Sequence, residues 1–258
     1  MGRLRGLVAQ RVKTRLAYRG DVLAGLLSAA LLGVVGPVFL LTLFQSVPHL
    51  HGWTGPEVLF IWGYADTVAG GFYVVFAGLY DLNRRYILTG ELDRLLIRPA
   101  DAYVQLLIDN LAFEELPVVA LGLFVMGLAV AWGLVFPEPL RLLLLPVWFA
   151  GSLATLGGIV TAVASLGFHL HHRGTAVGLV LQLTTLTRYP LDLFGRPLQA
   201  LLTFVLPFGF AGFYGAAFFL PRQEFVLVGL FVPVVGAFSL AFGVAAFRFG
   251  LRRYTSAG

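Results

Sequence analysis

Two carboxylic acids of this sequence stand in or beside long apolar stretches, where an ionised side chain is costly. Asp66 lies inside the apolar segment 57–80, and Glu114 lies just before the charge-free stretch 116–136. Ionisable residues at membrane depth often mark an ion or substrate pathway. Asp66 and Glu114 are therefore possible pathway residues. For Asp66 the two interpretations are a proton or cation site and a hydrogen-bonded structural carboxylate, and we favour the second.

The depth of Glu114 depends on where its helix begins. If only the stretch 116–136 crosses the membrane, then Asp109, Glu114 and Glu115 lie at or below the cytoplasmic interface. If the helix begins at Tyr103, Glu114 lies about 16 Å deeper, by a rise of about 1.5 Å per residue, and must face a polar cavity. The sequence leaves both alternatives open.

Other arrangements that could carry chemistry are missing or poorly spaced. His169, His171 and His172 are close in sequence, but residues i and i+2 of a helix point apart, so a polar turn explains them better than a metal site. The single lysine, Lys13, follows Val12 rather than a glycine, so the chain has no Walker A motif and no means of that kind to hydrolyse ATP. The absence of cysteine excludes thiol chemistry.

Composition gives the class of protein. Of the 258 residues, 59% are apolar and 12% are charged, which is typical of polytopic membrane proteins. The net charge of +5 requires no nucleic-acid partner, because basic residues of membrane proteins gather in cytoplasmic segments. A membrane span needs about 20 apolar residues. Seven segments approach this requirement: 22–46, 57–80, 103–136, 139–170, 174–190, 197–221 and 225–247.

The charges of the two ends indicate an even number of spans. Basic residues gather in the amino-terminal arm and again in the tail, so both termini are expected on the cytoplasmic side. The segment 197–221 contains Pro207 and several glycines, and we predict that it forms outer re-entrant helices, within the region 191–221, before the last span. Six spans then remain, and all but four basic residues lie inside: Arg141, Arg188, Arg196 and Arg222.

Two polar segments complete the expected domain, which covers residues 1–258 as one unit. Residues 1–20 alternate basic and apolar side chains and predict an amphipathic helix at the membrane surface. The segment 81–101 is the long polar stretch inside the apolar chain, and over 90–98 its leucines fall at helical spacing before Pro99. We predict a short amphipathic helix that faces a cytoplasmic partner; the alternative is a solvated loop.

Small residues predict where the last helix packs. Gly229, Gly236 and Gly243 recur every seven residues and form one stripe that permits close approach of another helix.

The polar segment resembles the cytoplasmic loop of ABC-2-type transporter permeases, which reads G-x-L-D-x-x-L-x-R-P and is followed by a glutamine. The matching residues here are Gly90, Leu92, Asp93, Leu96, Arg98, Pro99 and Gln105. Residues 188–194, 202–216 and 250–258 are similar to later parts of the same family, in its branch of about 260-residue, six-span permeases. The resemblance therefore extends over nearly the whole chain.

This resemblance implies an all-α polytopic permease with a cytoplasmic coupling helix. The helix would dock on a separate ATP-binding cassette ATPase subunit, which carries the ATP and Mg, while this chain binds no cofactor and catalyses no reaction. The docking residues implied are Glu91, Leu92, Asp93, Arg94, Leu95, Leu96 and Arg98. A second permease chain, identical or paired, would complete the transport cavity within the lipid of a prokaryotic inner membrane. The expected activity is export of an amphipathic or hydrophobic substrate.

The alternative is a secondary transporter or channel that uses Asp66 and Glu114 with an ion gradient. This interpretation does not explain an apolar and charged helix over 90–98, and such transporters often show internal repeats, which this sequence lacks. A membrane-embedded enzyme is a weaker alternative, because no nucleophile is paired with a base.

Overall fold

The computed structural model describes residues 19–170 and 175–254, and it describes side chains over 33–169 and 176–254. Its helices are α1 (Arg19–Ser46), α2 (Gly55–Phe76), α3 (Glu91–Leu96), α4 (Ala102–Asp109), α5 (Leu116–Ala131), α6 (Leu145–Ser165), α7 (Gly167–Leu170), α8 (Thr175–Thr184), α9 (Arg196–Ala200), α10 (Phe208–Ala211), α11 (Phe213–Ala217), α12 (Gln223–Gly229) and α13 (Val232–Leu251). The predicted surface helix over 1–20 lies mostly outside the described residues, and Arg19 and Gly20 already belong to α1.

Short helical turns extend or join these helices. Turns of 3-10 helix lie at Ala77–Leu79, Phe113–Glu115, Pro139–Leu144, Thr185–Arg188 and Leu191–Leu193, and turns of π-helix lie at Leu82–Ile87 and Leu201–Val205. The described residues include one small sheet, in which β1 (His49–Leu50) pairs antiparallel with β2 (Trp53–Thr54). Gly52, at φ +83°, makes the turn between the two strands, in a conformation that favours glycine.

Four helical stretches are long and apolar enough to cross a membrane: Gly55–Ile87, Phe113–Ala131, Pro139–His169 and Gln223–Leu251. A shorter apolar stretch, Gly33–Ser46, is the described part of α1. These findings confirm an all-α membrane protein, while the count of six spans stays a prediction. Proline stands in the first turn of α2, α5, α6 and α13, where its missing N–H costs no hydrogen bond.

The long helices pack in pairs through glycine. A Cβ built on Gly158 of α6 would lie 2.2 Å from the backbone of Ser239 in α13, and one built on Gly236 would lie 2.2 Å from the carbonyl oxygen of Gly151. Gly243 meets Gly158 in the same way, so two residues of the predicted stripe form this interface. Backbones can approach this closely only where no side chain intervenes. Gly63 of α2 lies against α5 in the same manner.

The segment 197–221 is divided into short helices, as its proline and glycines predict. Residues 208–220 are buried. Ser152 of α6 donates to the carbonyl of Phe210 at 2.8 Å and pairs with the hydroxyl of Tyr64 of α2 at 2.9 Å. Irregular backbone at membrane depth is tolerated where protein surrounds it. These contacts supply such surroundings, and the re-entrant arrangement itself stays a prediction.

The bundle has two distinct ends, because α2 and α5 run antiparallel. At one end lies the hairpin β1–β2, where Gly55 contacts Trp132 after α5. We call it the hairpin end. At the other end, which we call the α3 end, α2 leads into the π-turn and α3.

The glycine packing makes a prediction about stability. Gly158→Ala should lower the melting temperature of the detergent-purified protein by roughly 2 to 10 °C, because its Cβ forces α6 and α13 apart. Gly127→Ala is the matched control, since a Cβ there meets nothing within 4 Å. Equal melting temperatures for the two variants would contradict the proposed close packing.

Candidate functional sites: the loop helix and a buried ion pair

The polar segment 81–101 contains the predicted short helix. Gly90 precedes α3 in a left-handed conformation with φ +72°, which glycine adopts without strain, and α3 continues from Glu91 to Leu96. Ile97 follows, and Pro99 prevents further helix. The sequence pattern therefore predicted the existence of this helix, but the predicted range 90–98 extends beyond its last residue, Leu96.

The apolar residues of α3 point in two directions. Leu92 and Leu95 are 0% and 3% exposed because they pack into the core of the chain itself. Leu96 and Ile97 are 45% and 84% exposed. The expectation that Leu92 and Leu95 fill a groove of a partner is therefore wrong. Helical spacing identifies an apolar face but not the surface against which it packs, and the available apolar surface is the Leu96–Ile97 tip.

The charged residues of the segment are also divided between internal and outward roles. Glu91 accepts a hydrogen bond from Arg85 at 2.9 Å, and Arg98 pairs with Asp109 of α4 at 2.9 Å. Arg94 is exposed. Asp93 is half-buried. Of the residues that the resemblance assigned to docking, Glu91 and Arg98 thus hold the helix in place, while Arg94 lies next to the apolar tip.

Gln105 fixes the return of the chain after α3. Its buried amide donates to the carbonyl of Leu95 at 3.2 Å and to that of Ala100 at 2.7 Å. Asp101 accepts from the backbone N–H groups of Tyr103 and Val104 and so caps α4. Asp101 also pairs with Arg248 of α13 at 3.1 Å. The tip is therefore presented on a segment tied to the bundle, and the glutamine of the sequence motif was the available signal.

Asp66 of α2 lies in a buried cluster with an arginine and two aromatic rings. Trp62 donates to its Oδ2 at 2.9 Å, and Nε of Arg188 lies 2.7 Å from its Oδ1. The Arg188 guanidinium lies 5.2 Å from the Trp62 ring centroid, and Tyr189 contacts that ring edge-on. Arg188 was expected outside the membrane; it instead neutralises a carboxylate well inside a candidate span. Counting charges on segments cannot detect such a pair.

Glu114 lies apart from this cluster, in the 3-10 turn Phe113–Glu115 that precedes α5. The helix that begins at Ala102 ends at Asp109, so a single helix that carries Glu114 inward from Tyr103 is wrong. The N–H of Ala112 donates to the carbonyl of Val74, near the last residues of α2. Glu114 therefore lies toward the α3 end.

Sequence reasoning missed a second charge network at the hairpin end. Glu57 is 4% exposed and accepts hydrogen bonds from Thr54 and, at 2.9 and 2.8 Å, from Arg222. Arg222 lies over the Trp53 ring, 4.4 Å from its centroid, and the Trp53 N–H donates to Asp192. The hydrogen bonds that Arg222 donates to Glu57 raise the pKa of Arg222 above its usual range. Two residues 165 positions apart form this pair, which leaves no local sequence signal.

No group of three or more metal-ligating side chains occurs among the described residues. His169 stacks on Phe249 of α13, with ring centroids 6.1 Å apart. His171 and His172 lie outside the described residues.

The fold and these sites define a multi-pass helical membrane protein with a polar helix presented at one end of its bundle. A family model described as an ABC-2 family transporter protein matches residues 31–258, and the chain belongs to this family. It is thus a permease component of an ABC transporter. Membership of the ABC-2 family implies pairing with an ATP-binding cassette subunit. The comparisons with curated proteins and with solved structures found no match.

The buried ion pair makes a prediction that a double-mutant cycle can test. Arg188→Gln should destabilise the protein by up to about 3 kcal/mol, because Asp66 then lacks its counter-charge. The double variant Asp66→Asn/Arg188→Gln should lose less unfolding free energy than Arg188→Gln alone, because it contains no unpaired buried charge. Thermal unfolding in detergent measures these two variants and the single variant Asp66→Asn, with the exposed Arg84→Gln as control. Additive losses would contradict the pairing.

Proposed function

We propose that this chain is the transmembrane half of an ABC exporter and that two permease chains work with two separate ATPase subunits. The observation that supports this most directly is the exposed tip of α3. Leu96 and Ile97 stand out from a helix whose other apolar residues are buried, and exposed apolar residues beside a charged rim are typical of a docking surface. The family supports the same conclusion, because its members are transport components.

The proposed topology has six spans. They are α1, α2, α5, α6, α8 with its 3-10 extension, and α13, while 191–221 forms the outer re-entrant region. Arg84, Arg94, Arg98, Arg248 and Arg252 all lie at the α3 end, which by the positive-inside rule is cytoplasmic. Both termini are then cytoplasmic in a prokaryotic inner membrane. The domain 1–258 acts as one unit.

In the proposed cycle, ATP and Mg bind only to the ATPase subunits. Their dimerisation displaces α3 and tilts the spans, which switches a cavity enclosed by two permease chains between inward and outward access. An amphipathic or hydrophobic substrate suits the predominantly apolar helices, and membrane lipid contacts exposed side chains such as Phe238 and Phe242.

A gradient-driven transporter is the second candidate, and the ion pair weakens it. Arg188 already compensates the charge of Asp66, so this carboxylate needs no coupling cation as its counter-charge. Glu114 lies apart, toward the α3 end.

Co-purification with candidate ATP-binding subunits tests the docking surface. Ile97→Asp and Leu96→Asp should remove the ATPase subunit from the purified complex, because a carboxylate in an apolar pocket is costly. Leu140→Asp is the matched control: Leu140 is 79% exposed and lies toward the hairpin end. Leu95→Asp should instead reduce the yield of folded chain, because Leu95 is buried.

The result is informative in both directions. Loss of the subunit only in the two tip variants supports the proposal. Retention of the subunit in both tip variants, in a chain that remains monodisperse, would overturn it.

A further inference from the structure

The outward face of α8 and its extension carries polar side chains. Gln182 and Thr185 are exposed, and the side chain of Arg188 is 31% exposed. These residues are three positions apart, and Thr185–Arg188 is a 3-10 turn, in which residues i and i+3 lie on one face. Gln182, Thr185 and Arg188 therefore form a polar stripe along this element.

Polar groups of α2 and its extension lie beside this stripe. Tyr73 and Tyr80 are 39% and 56% exposed. A Cβ on Gly178, one helical turn before Gln182, would lie 3.8 Å from the Tyr80 hydroxyl. Tyr73 is within electrostatic range of Arg188, Tyr80 and Glu115. We give the name α2–α8 furrow to the strip of surface that carries Tyr73, Tyr80, Gln182, Thr185 and Arg188.

The furrow reaches the middle of the proposed membrane. Asp66, which anchors Arg188, is the twelfth residue of α2, or about 16 Å from its start in a hydrocarbon core about 30 Å thick. A partly exposed arginine at this depth is costly against lipid and is tolerated beside a water-filled cavity. The exposed part of α13, by contrast, presents Val234, Phe238 and Phe242. The polar and apolar faces of the chain thus differ in what they can contact.

Arg188 has more hydrogen-bond donors than its one internal partner, Asp66, can accept. Its Nε lies 2.7 Å from Oδ1 of Asp66 as an ion pair, and among the described residues no acceptor is found for its two terminal nitrogens. A guanidinium presents such nitrogens in a planar fork that matches the oxygens of carboxylate, sulfate or phosphate groups. Asp66 holds the side chain in position, and Glu115 lies near Tyr73. The free side of Arg188 is therefore suited to an oxyanion.

We propose that the α2–α8 furrow is a wall of the water-filled transport pathway and that Arg188 binds an oxyanion group of the transported substrate. This inference rests on the proposed function, in which a second permease chain closes the pathway. It narrows the substrate to an amphipathic molecule with an anionic head. Asp66 is a positioning residue that holds the guanidinium until the substrate group arrives.

Single-cysteine labelling tests the proposal, because the chain contains no cysteine. Thr185→Cys, one 3-10 turn from Arg188, is treated in membrane vesicles with anionic sulfonatoethyl methanethiosulfonate or with its cationic trimethylammonium counterpart. Each rate is divided by the rate of that reagent with a free thiol. Phe238→Cys, at a residue 73% exposed on the apolar face, is the control.

We expect Thr185→Cys to react with both reagents and Phe238→Cys with neither. The normalised rate should favour the anionic reagent by on the order of tenfold, because the guanidinium attracts the sulfonate. Adding Arg188→Gln should abolish that preference. The background Asp66→Asn/Arg188→Gln should do the same without an unpaired carboxylate, which keeps the test valid if the single variant misfolds.

The outcomes separate the two parts of the inference. A Thr185→Cys chain as unreactive as Phe238→Cys would overturn the water-filled pathway. Reaction without anionic preference, or a preference that survives loss of Arg188, would overturn the oxyanion site. Because labelling needs no ATPase subunit, failure of co-purification refutes the proposed function independently of this result.

Discussion

The hydrocarbon core of a bilayer contains no water, so every charge and every backbone polar group at that depth must find its partner within protein or beside a cavity. Much of this structure follows from that constraint. Asp66 is matched by Arg188 and Trp62, and Glu57 is matched by Arg222 and Thr54. The broken backbone of 208–220 is surrounded by α2 and α6. The Asp66–Arg188 and Glu57–Arg222 pairs join segments far apart in sequence, so meeting the constraint also determines which helices become neighbours.

Glycine residues let the backbones of neighbouring helices come into direct contact. At Gly151, Gly158, Gly236 and Gly243 the backbones of α6 and α13 touch, and Gly63 brings α2 onto α5. Another face of α13 carries large aromatic residues instead of glycine, and these residues, Phe238 and Phe242, are exposed. Close packing therefore builds two rigid helix pairs, and the hydrogen bonds of Ser152 and Tyr64 connect them through the buried short helices.

The sequence predicted those features that depend on local pattern. Hydropathy identified the long helices, Gly90 and Pro99 bounded α3, and the seven-residue glycine spacing located the last interface. Prediction from the sequence failed where a residue's role depends on which surface of the folded chain it packs against. Leu92 and Leu95 have the spacing of a docking face and pack inward, and Arg188 was assigned to the outside because a charge count has no information about Asp66. The Glu57–Arg222 network gave no signal for the same reason.

The covalent continuity of α2 links the proposed docking surface to the proposed pathway. α2 carries Asp66 and Tyr73 and continues through two short turns into α3, whose position is fixed by Gln105 and by the Arg98–Asp109 pair. The other side of the furrow belongs to α8 and its extension, which contact α2 through the Asp66–Arg188 ion pair. In the proposed cycle, a displacement of α3 would reach Tyr73 and Asp66 through α2 and would reach Arg188 through the ion pair. Arg188 lies where these elements meet: it is partly exposed, its Nε is 2.7 Å from Asp66, and its terminal nitrogens remain for the proposed oxyanion. In the proposed cycle, Arg188 would therefore be the residue through which a movement of α2 reaches the bound oxyanion.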